Sequence, residues 1–462
     1  MKNFIINHSL IIKTLQQCQI NKIANEQIHE IIKKALNFKG LNFDEVAALT
    51  TIQDESLLLE LFAAANKVKE AIYGNRIVLF APLYISNLCT NDCLYCAFRA
   101  TNHNIKRRSL TQQEIAGETK YLIEQGQKRL LLVAGESHTR EGFKYILDSI
   151  KTVYEVKSQY GEIRRVNINI APLEIEDFKQ LRNAAIGTYQ LFQETYHPEV
   201  YQKMHVAGKK ADYEWRLTAI DRAMEAGIDD VGIGVLFGLA DWRYEILALM
   251  QHTEHLNKEF GVGPHTISIP RLEPATGSEI ASNPPNPVND DDFTKIIAIL
   301  RLAIPSTGII LSTRELPKIR RDALVLGVSQ ISAGSRTNPG GYSEDEESGS
   351  QFSLGDHRNL DEVVADVASL GYVPSFCTAC YRSNRTGENF MHLAKTGKIK
   401  NMCAPNALIT FAEYLADYAS PQTCKIGKEL IIKELTKLPE SQRKIVMTML
   451  SKIKGGARDV FI

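Results

Sequence analysis

The sequence predicts an α/β fold: a (β/α)8 barrel of the TIM type, with a helical N-terminal extension and a mostly helical C-terminal region. Three observations carry that expectation. β-type runs alternate with amphipathic helical stretches eight times over about 260 residues, which matches such a barrel in count and in size. Gly126, Gly187, Gly227 and Gly327 stand where helix C-caps are expected. The 462 residues are 44% hydrophobic and 23% charged, enough apolar material for a large core.

In chain order, residues 1–75 read as helices. Asn42 with Glu45 forms a capping-box pattern, and 55–72 is apolar at helical spacing. The barrel strands are expected at 83–88, 129–135, 165–171, 188–194, 230–236, 265–271, 307–313 and 328–334. Helices are expected between them, among others at 111–125, 212–226, 241–259 and 316–326, the first opened by a second capping box, Thr111 with Glu114. Strand order cannot be read from sequence, so an open doubly wound sheet stays as the alternative. The acidic run 342–351 reads as a solvated connecting loop. The divisions are 1–75 for the extension, 76–340 for the barrel and 341–462 for the C-terminal domain.

Lys plus Arg and Asp plus Glu both number 54, so there is no basic footprint for nucleic acid or for an anionic membrane. No apolar run approaches the length of a membrane span. The first seventeen residues contain Leu10-Ile11-Ile12 but no long apolar signal core, which reads as a mature cytoplasmic protein. Six of the eight cysteines fall in two groups, a pattern that points to metal more than to disulfides in such a chain. Cys18 and Cys424 stand alone and read as structural thiols.

The first group, Cys89, Cys93 and Cys96, has C-x3-C-x2-C spacing and directly follows the first expected strand. In a barrel that loop lies at the C-terminal face, where active sites form. Three thiolates can hold three irons of a 4Fe-4S cubane and leave the fourth iron open to a substrate. Zinc, the competing reading, usually takes four protein ligands. The run Val133-Ala134-Gly135-Glu136 resembles the Gly-Gly-Glu motif of the radical S-adenosylmethionine (SAM) superfamily, whose backbone meets the amino group of SAM. The stretch 231–238, with Gly232 and Gly234, is similar to that superfamily's adenine-contacting strand, and reads equally as a buried strand with small residues for packing. The resemblance implies a SAM-binding 4Fe-4S cluster at which SAM is cleaved reductively to a deoxyadenosyl radical.

The second group, Cys377, Cys380 and Cys403, has C-x2-C-x22-C spacing. It suits a second 4Fe-4S cluster with one iron free of cysteine, or a zinc site completed by His392 or Cys424. The stretches 83–89, 193–197, 331–336 and 351–358 resemble the aromatic-amino-acid lyases among radical SAM enzymes. Two branches share them: the thiamine-pathway 2-iminoacetate synthases and the FeFe-hydrogenase maturases of the HydG type. The second cysteine group and the added hundred or so residues are similar to the maturases. That resemblance implies a tyrosine lyase giving p-cresol and dehydroglycine, then CO and cyanide on an extra iron. The extra iron would be attached through free L-cysteine to the second cluster. It also implies a ferredoxin or flavodoxin reductant and other hydrogenase maturases as partners. The alternatives are a lyase that stops at dehydroglycine for thiamine thiazole synthesis, and a non-catalytic cluster carrier.

Within the expected sixth strand, 265, 267, 269 and 271 share a face. If that face points inward, His265 lies at the barrel base and Arg271 about 20 Å away near the top. With the resemblance, His265 reads as a ligand of the extra iron; without it, as a hydrogen-bonded histidine at the base. Arg336, with Ser332 or Ser335, is assigned to the tyrosine carboxylate, the competing reading being a pair with a loop acid. Gln193 and Glu194 are assigned to SAM or tyrosine recognition, and Tyr84 and Tyr95 to packing. An internal channel past Gly232, Gly234 and Ala333 is expected to join the two ends.

Overall fold

The computed structural model describes residues 5–21, 23–137, 142–344, 348–383 and 385–462. Part of the acidic run, 345–347, lies outside the described residues. Eight parallel strands form the barrel: β1 Arg76–Ser86, β2 Arg129–Ala134, β3 Arg165–Asn169, β4 Tyr189–Gln190, β5 Val231–Gly234, β6 Thr266–Ser268, β7 Gly308–Leu311 and β8 Gln330–Ser332. They are hydrogen-bonded in chain order, and β8 returns to β1, with Val78 opposite Gln330 and Phe80 opposite Ser332. That closure excludes the open doubly wound sheet. A ninth strand, β9 Val373–Ser375, runs parallel to the start of β1, with Arg76 opposite Val373.

β1 is eleven residues long and buried throughout. Its lower half pairs with β8 and β9, its upper half with β2. The expected strand, 83–88, starts inside β1 and leaves out its lower half. In the structure Pro82 sits inside the strand, opposite Leu131. β4 is much shorter than the expected 188–194. Past it the ladder survives only as an isolated bridge from Glu194 to Val235.

Both capping boxes form, Asn42 with Glu45 and Thr111 with Glu114. Gly126 and Gly227 take positive φ just past their helices, at 99° and 84°. Gly187 does not. The helix Ile175–Asn183 ends on Ala184, and Ala185 takes the left-handed conformation. Gly187 is required by space instead, since a Cβ there would lie 2.1 Å from Asn167 Oδ1.

The N-terminal helices His8–Ile20 and Glu55–Tyr73 pack on the barrel helices Trp242–Phe260 and Asp290–Ala303. After β8 the chain stays on the barrel. Tyr342 donates to the Pro82 carbonyl at 2.6 Å, and Asp356 pairs with Arg320 at 2.9 Å. The helix Leu360–Ser369 and β9 follow; the helix Lys400–Asp417 then packs on β9 and β1, and the helices Pro421–Lys437 and Glu440–Lys454 pack against it. Among the described residues no helix is long and apolar enough to cross a membrane.

Candidate functional site

The loops at the C-terminal ends of the strands enclose an upper cavity of about 1360 Å³. Cys89, Cys93 and Cys96 all line it. Their loop is pinned by backbone bonds, Asp92 N–H to the Ala207 carbonyl and Leu94 N–H to that of Met204, both 2.9 Å. Burial pushes all three thiols up, that of Cys96 to about 11, so a metal that takes them as thiolates displaces those protons. Gly135 sits where β2 meets this loop. A Cβ there would come within 2.2 Å of the Leu88 carbonyl oxygen, so only glycine allows that approach. The three thiols on one cavity wall and this bare backbone beside them fit a cubane cluster with SAM against it.

A charged cluster frames the same wall, in which the expected Glu136 and Glu194 meet two cations that the sequence did not single out, Arg216 and Lys210. Glu136 accepts from Arg216 at 2.6 Å and from the Asn91 side chain at 2.8 Å. Lys210 donates to Glu194 at 2.8 Å, and Arg216 lies 3.7 Å from that carboxylate. Burial opposes ionisation of Glu136, but Arg216 and Lys210 outweigh it and hold its carboxyl below the usual range. Two carboxylates thus face two cations, which offers both charge types to a zwitterionic ligand.

Other expected residues land differently. Gln190 at the end of β4, and Phe192 and Glu194 in the extended stretch after it, line the cavity, while Gln193 does not. Gly232 and Gly234 do not line the cavity; their missing side chains make room for Thr266 and Gln190 and for Ser268 and Phe192. Ser332 and Ser335 do line it, and the Ser335 hydroxyl is buried with no hydrogen-bond partner among the described residues. Arg336 does not, its guanidinium reaching back to the Ser335 carbonyl at 3.4 Å. The arginine that enters the cavity beside those serines is Arg314, its guanidinium 3.2 Å from the Phe352 ring centre.

A second, lower cavity of about 610 Å³ opens at the N-terminal end of the barrel, lined by Cys377, Cys380, Cys403 and His265 together. The face expected to point inward on β6 points outward. Ile267 and Ile269 join the core under the helices, and Arg271 pairs with Glu315 and Asp290. Ser268 and Pro270 face the upper cavity. His265 still reaches the lower cavity because it precedes the regular part of β6, where alternation does not bind it. Its Nδ1 is buried without a hydrogen bond among the described residues, Asp230 being 3.6 Å away, too far for one. Burial lowers its pKa, which keeps the imidazole neutral and free to ligate. His392 and Cys424 do not line this cavity, so neither completes a zinc site there. Arg76, Arg129 and Arg385 do, and Arg129 donates to the Cys377 carbonyl at 3.0 Å.

The two cavities lie one step apart along three strands. Val78, Gly308 and Gln330 line the lower, Phe80, Ile310 and Ser332 the upper, a rise of about 6.6 Å along each strand. Ala333, expected on a channel between them, is buried in the outer core instead.

A parallel barrel with three cysteines on its first βα loop and glycine backbone facing them defines a radical SAM enzyme. Comparison with known proteins agrees: residues 83–250 match the Radical SAM superfamily, and 268–373 match the Biotin and Thiamin Synthesis associated domain. A crystal structure of HydG, a maturase of the FeFe-hydrogenase, is 48% identical and superposes with a TM-score of 0.96 over 99% of this chain and 100% of that one. HydG from Carboxydothermus hydrogenoformans is 42% identical, with a TM-score of 0.82 over 96% and 98%. The 2-iminoacetate synthase of Salmonella typhimurium is 33% identical over 344 residues, 74% of this chain and 89% of that protein. The chain belongs to the radical SAM superfamily and, within it, to the family of the FeFe-hydrogenase maturase HydG.

Proposed function

We propose that this enzyme is a tyrosine lyase of hydrogenase maturation. It cleaves the Cα–Cβ bond of L-tyrosine to p-cresol and dehydroglycine, and converts dehydroglycine to CO and cyanide on an iron carried at the lower site. The observation that supports this most is the pair of three-thiol cavities at opposite ends of one barrel, the lower one completed by His265. When bound at Cys89, Cys93 and Cys96, the cluster and SAM supply a deoxyadenosyl radical that takes a hydrogen atom from the substrate. The chain's own part is to bind and orient. The Glu136, Arg216, Glu194 and Lys210 group, with the Gly135 backbone, holds the charged ends of SAM. Arg314, with Ser335 and Ser332, takes the tyrosine carboxylate, the role first assigned to Arg336.

At the lower site Cys377, Cys380 and Cys403 would hold the second 4Fe-4S cluster. His265 and free L-cysteine would hold the additional iron, which is the cargo. The three arginines there favour an anionic ligand set. Two groups of free thiols suit a reducing compartment, taken here to be the cytoplasm, with a ferredoxin or flavodoxin as donor and the other hydrogenase maturases as recipients. The similarity of the barrel to 2-iminoacetate synthase favours a second reading, in which dehydroglycine is released for thiamine synthesis. That reading leaves the lower cavity without a use. The test is anaerobic reconstitution with iron and sulfide, then SAM, dithionite and 13C-labelled tyrosine. Labelled p-cresol together with iron-bound carbonyl and cyanide bands in the infrared is the expected result. Dehydroglycine with no cyanide, in protein carrying both clusters, overturns it in favour of the second reading.

A further inference from the structure

Gln351 opens the stretch 351–358, lines the upper cavity, and takes no part in the proposed binding of SAM or tyrosine. Four contacts fix it against the first cysteine loop. Its backbone N–H donates to the Thr337 carbonyl at 3.0 Å, and its own carbonyl accepts from the N–H of Ala97, the residue after Cys96, at 3.4 Å. Its side-chain oxygen accepts from the Tyr84 hydroxyl at 2.8 Å, and its side-chain nitrogen lies 3.7 Å from Cys96 Sγ. Chemistry decides which end of the amide faces the sulfur. A thiolate offers only lone pairs, so the NH2 group must face it and the amide oxygen must face the hydroxyl. Tyr84 is rigid, being 5% exposed within β1 and edge-on to Phe98 with ring centres 6.0 Å apart. A hydroxyl on a buried strand thus aims an amide at one cluster ligand.

We propose that Gln351 is a positioning residue for the SAM cluster: its amide N–H donates to the Cys96 sulfur and raises the cluster's reduction potential. A hydrogen bond to a cluster sulfur draws electron density from it and favours the reduced, more negative state. The electron from an external one-electron donor is then easier to place. Because Gln351 lies beyond the last barrel strand, the segment after β8 becomes part of the cluster's environment. The proposal rests on the cluster that the family implies and not on tyrosine as substrate.

The test is a redox titration of the reconstituted full-length enzyme, following by electron paramagnetic resonance the cluster signal that shifts when SAM is added. Gln351→Leu should lower the potential, so that several-fold less cluster is reduced at a fixed solution potential. Gln351→Glu should lower it further, because a carboxylate places charge against the thiolate and has no N–H to give. Tyr84→Phe should lower it less, since the amide stays and only its aim is lost. Affinity for SAM, which a merely loosened pocket would weaken, should stay at the wild-type value in Tyr84→Phe. Unchanged potentials in Gln351→Leu and Tyr84→Phe overturn the proposal. If Gln351→Leu does not hold its cluster, unchanged potentials in Gln351→Glu and Tyr84→Phe overturn it equally. Absence of any SAM-sensitive signal in the wild type would instead sink the cluster itself.

Discussion

Arg314 and Arg336 follow successive barrel strands, yet only the first turns its guanidinium into the upper cavity. A charge pair buried between that guanidinium and a substrate carboxylate costs roughly 2–5 kcal/mol to truncate. Arg314→Ala should therefore raise the tyrosine concentration needed for p-cresol formation at least tenfold, while Arg336→Ala changes it far less. Equal effects in steady-state assays would return the role to Arg336. Cys93→Ala should stop reductive SAM cleavage altogether, read as 5′-deoxyadenosine by chromatography, because two thiolates hold a cubane poorly. The six clustered cysteines were legible because spacing along a chain is itself a signal. Arg314, Arg216 and Lys210 were not, since a lone cation has no spacing and these arrive from separate loops and helices. The one available hint was Arg314 within Ser312-Thr313-Arg314-Glu315, at the C-terminal end of β7. Arg336 drew attention for that same kind of position.

At the scale of elements, the end of β2 is held against the first cysteine loop by the absence of one side chain. A Cβ at Gly135 would overlap the Leu88 carbonyl, and backbone cannot yield as a flexible side chain does. Gly135→Ala should cost about 1–3 kcal/mol, seen as a lower thermal midpoint, and should reduce iron loading at the upper site. Full loading with wild-type stability would show that the loop can move aside. The count of βα units and both capping boxes could be read from sequence, because period and cap chemistry are local. Which face of β6 points inward could not. Only three of its residues form regular ladder, so alternation counted from His265 starts one residue too early. The same limit explains Gln193. Parity shows that 190, 192 and 194 share a face, but not which face that is.

For the whole molecule, the two cavities share no lining residue, so each should fail separately. The Cys377→Ala/Cys380→Ala variant should still yield p-cresol while losing the infrared bands of iron-bound carbonyl and cyanide. His265→Ala should show a milder form of that defect. Loss of p-cresol in a folded double variant that keeps its SAM-sensitive cluster would tie the lower site to the radical step. β1 carries both ends, with Arg76 at the lower cavity and Tyr84 at the upper. Its lower half extends below the register of β2, which first meets it at Ala81. Arg76, Ile77 and Val78 are thereby free to pair with β9, the strand that leads directly into Cys377. A barrel with one overlong stave offers a docking rail at its base. A tail that clips onto such a rail disturbs no bond at the rim, and it brings its three cysteines under barrel residues, His265 and Arg129 among them, that already close the base from above.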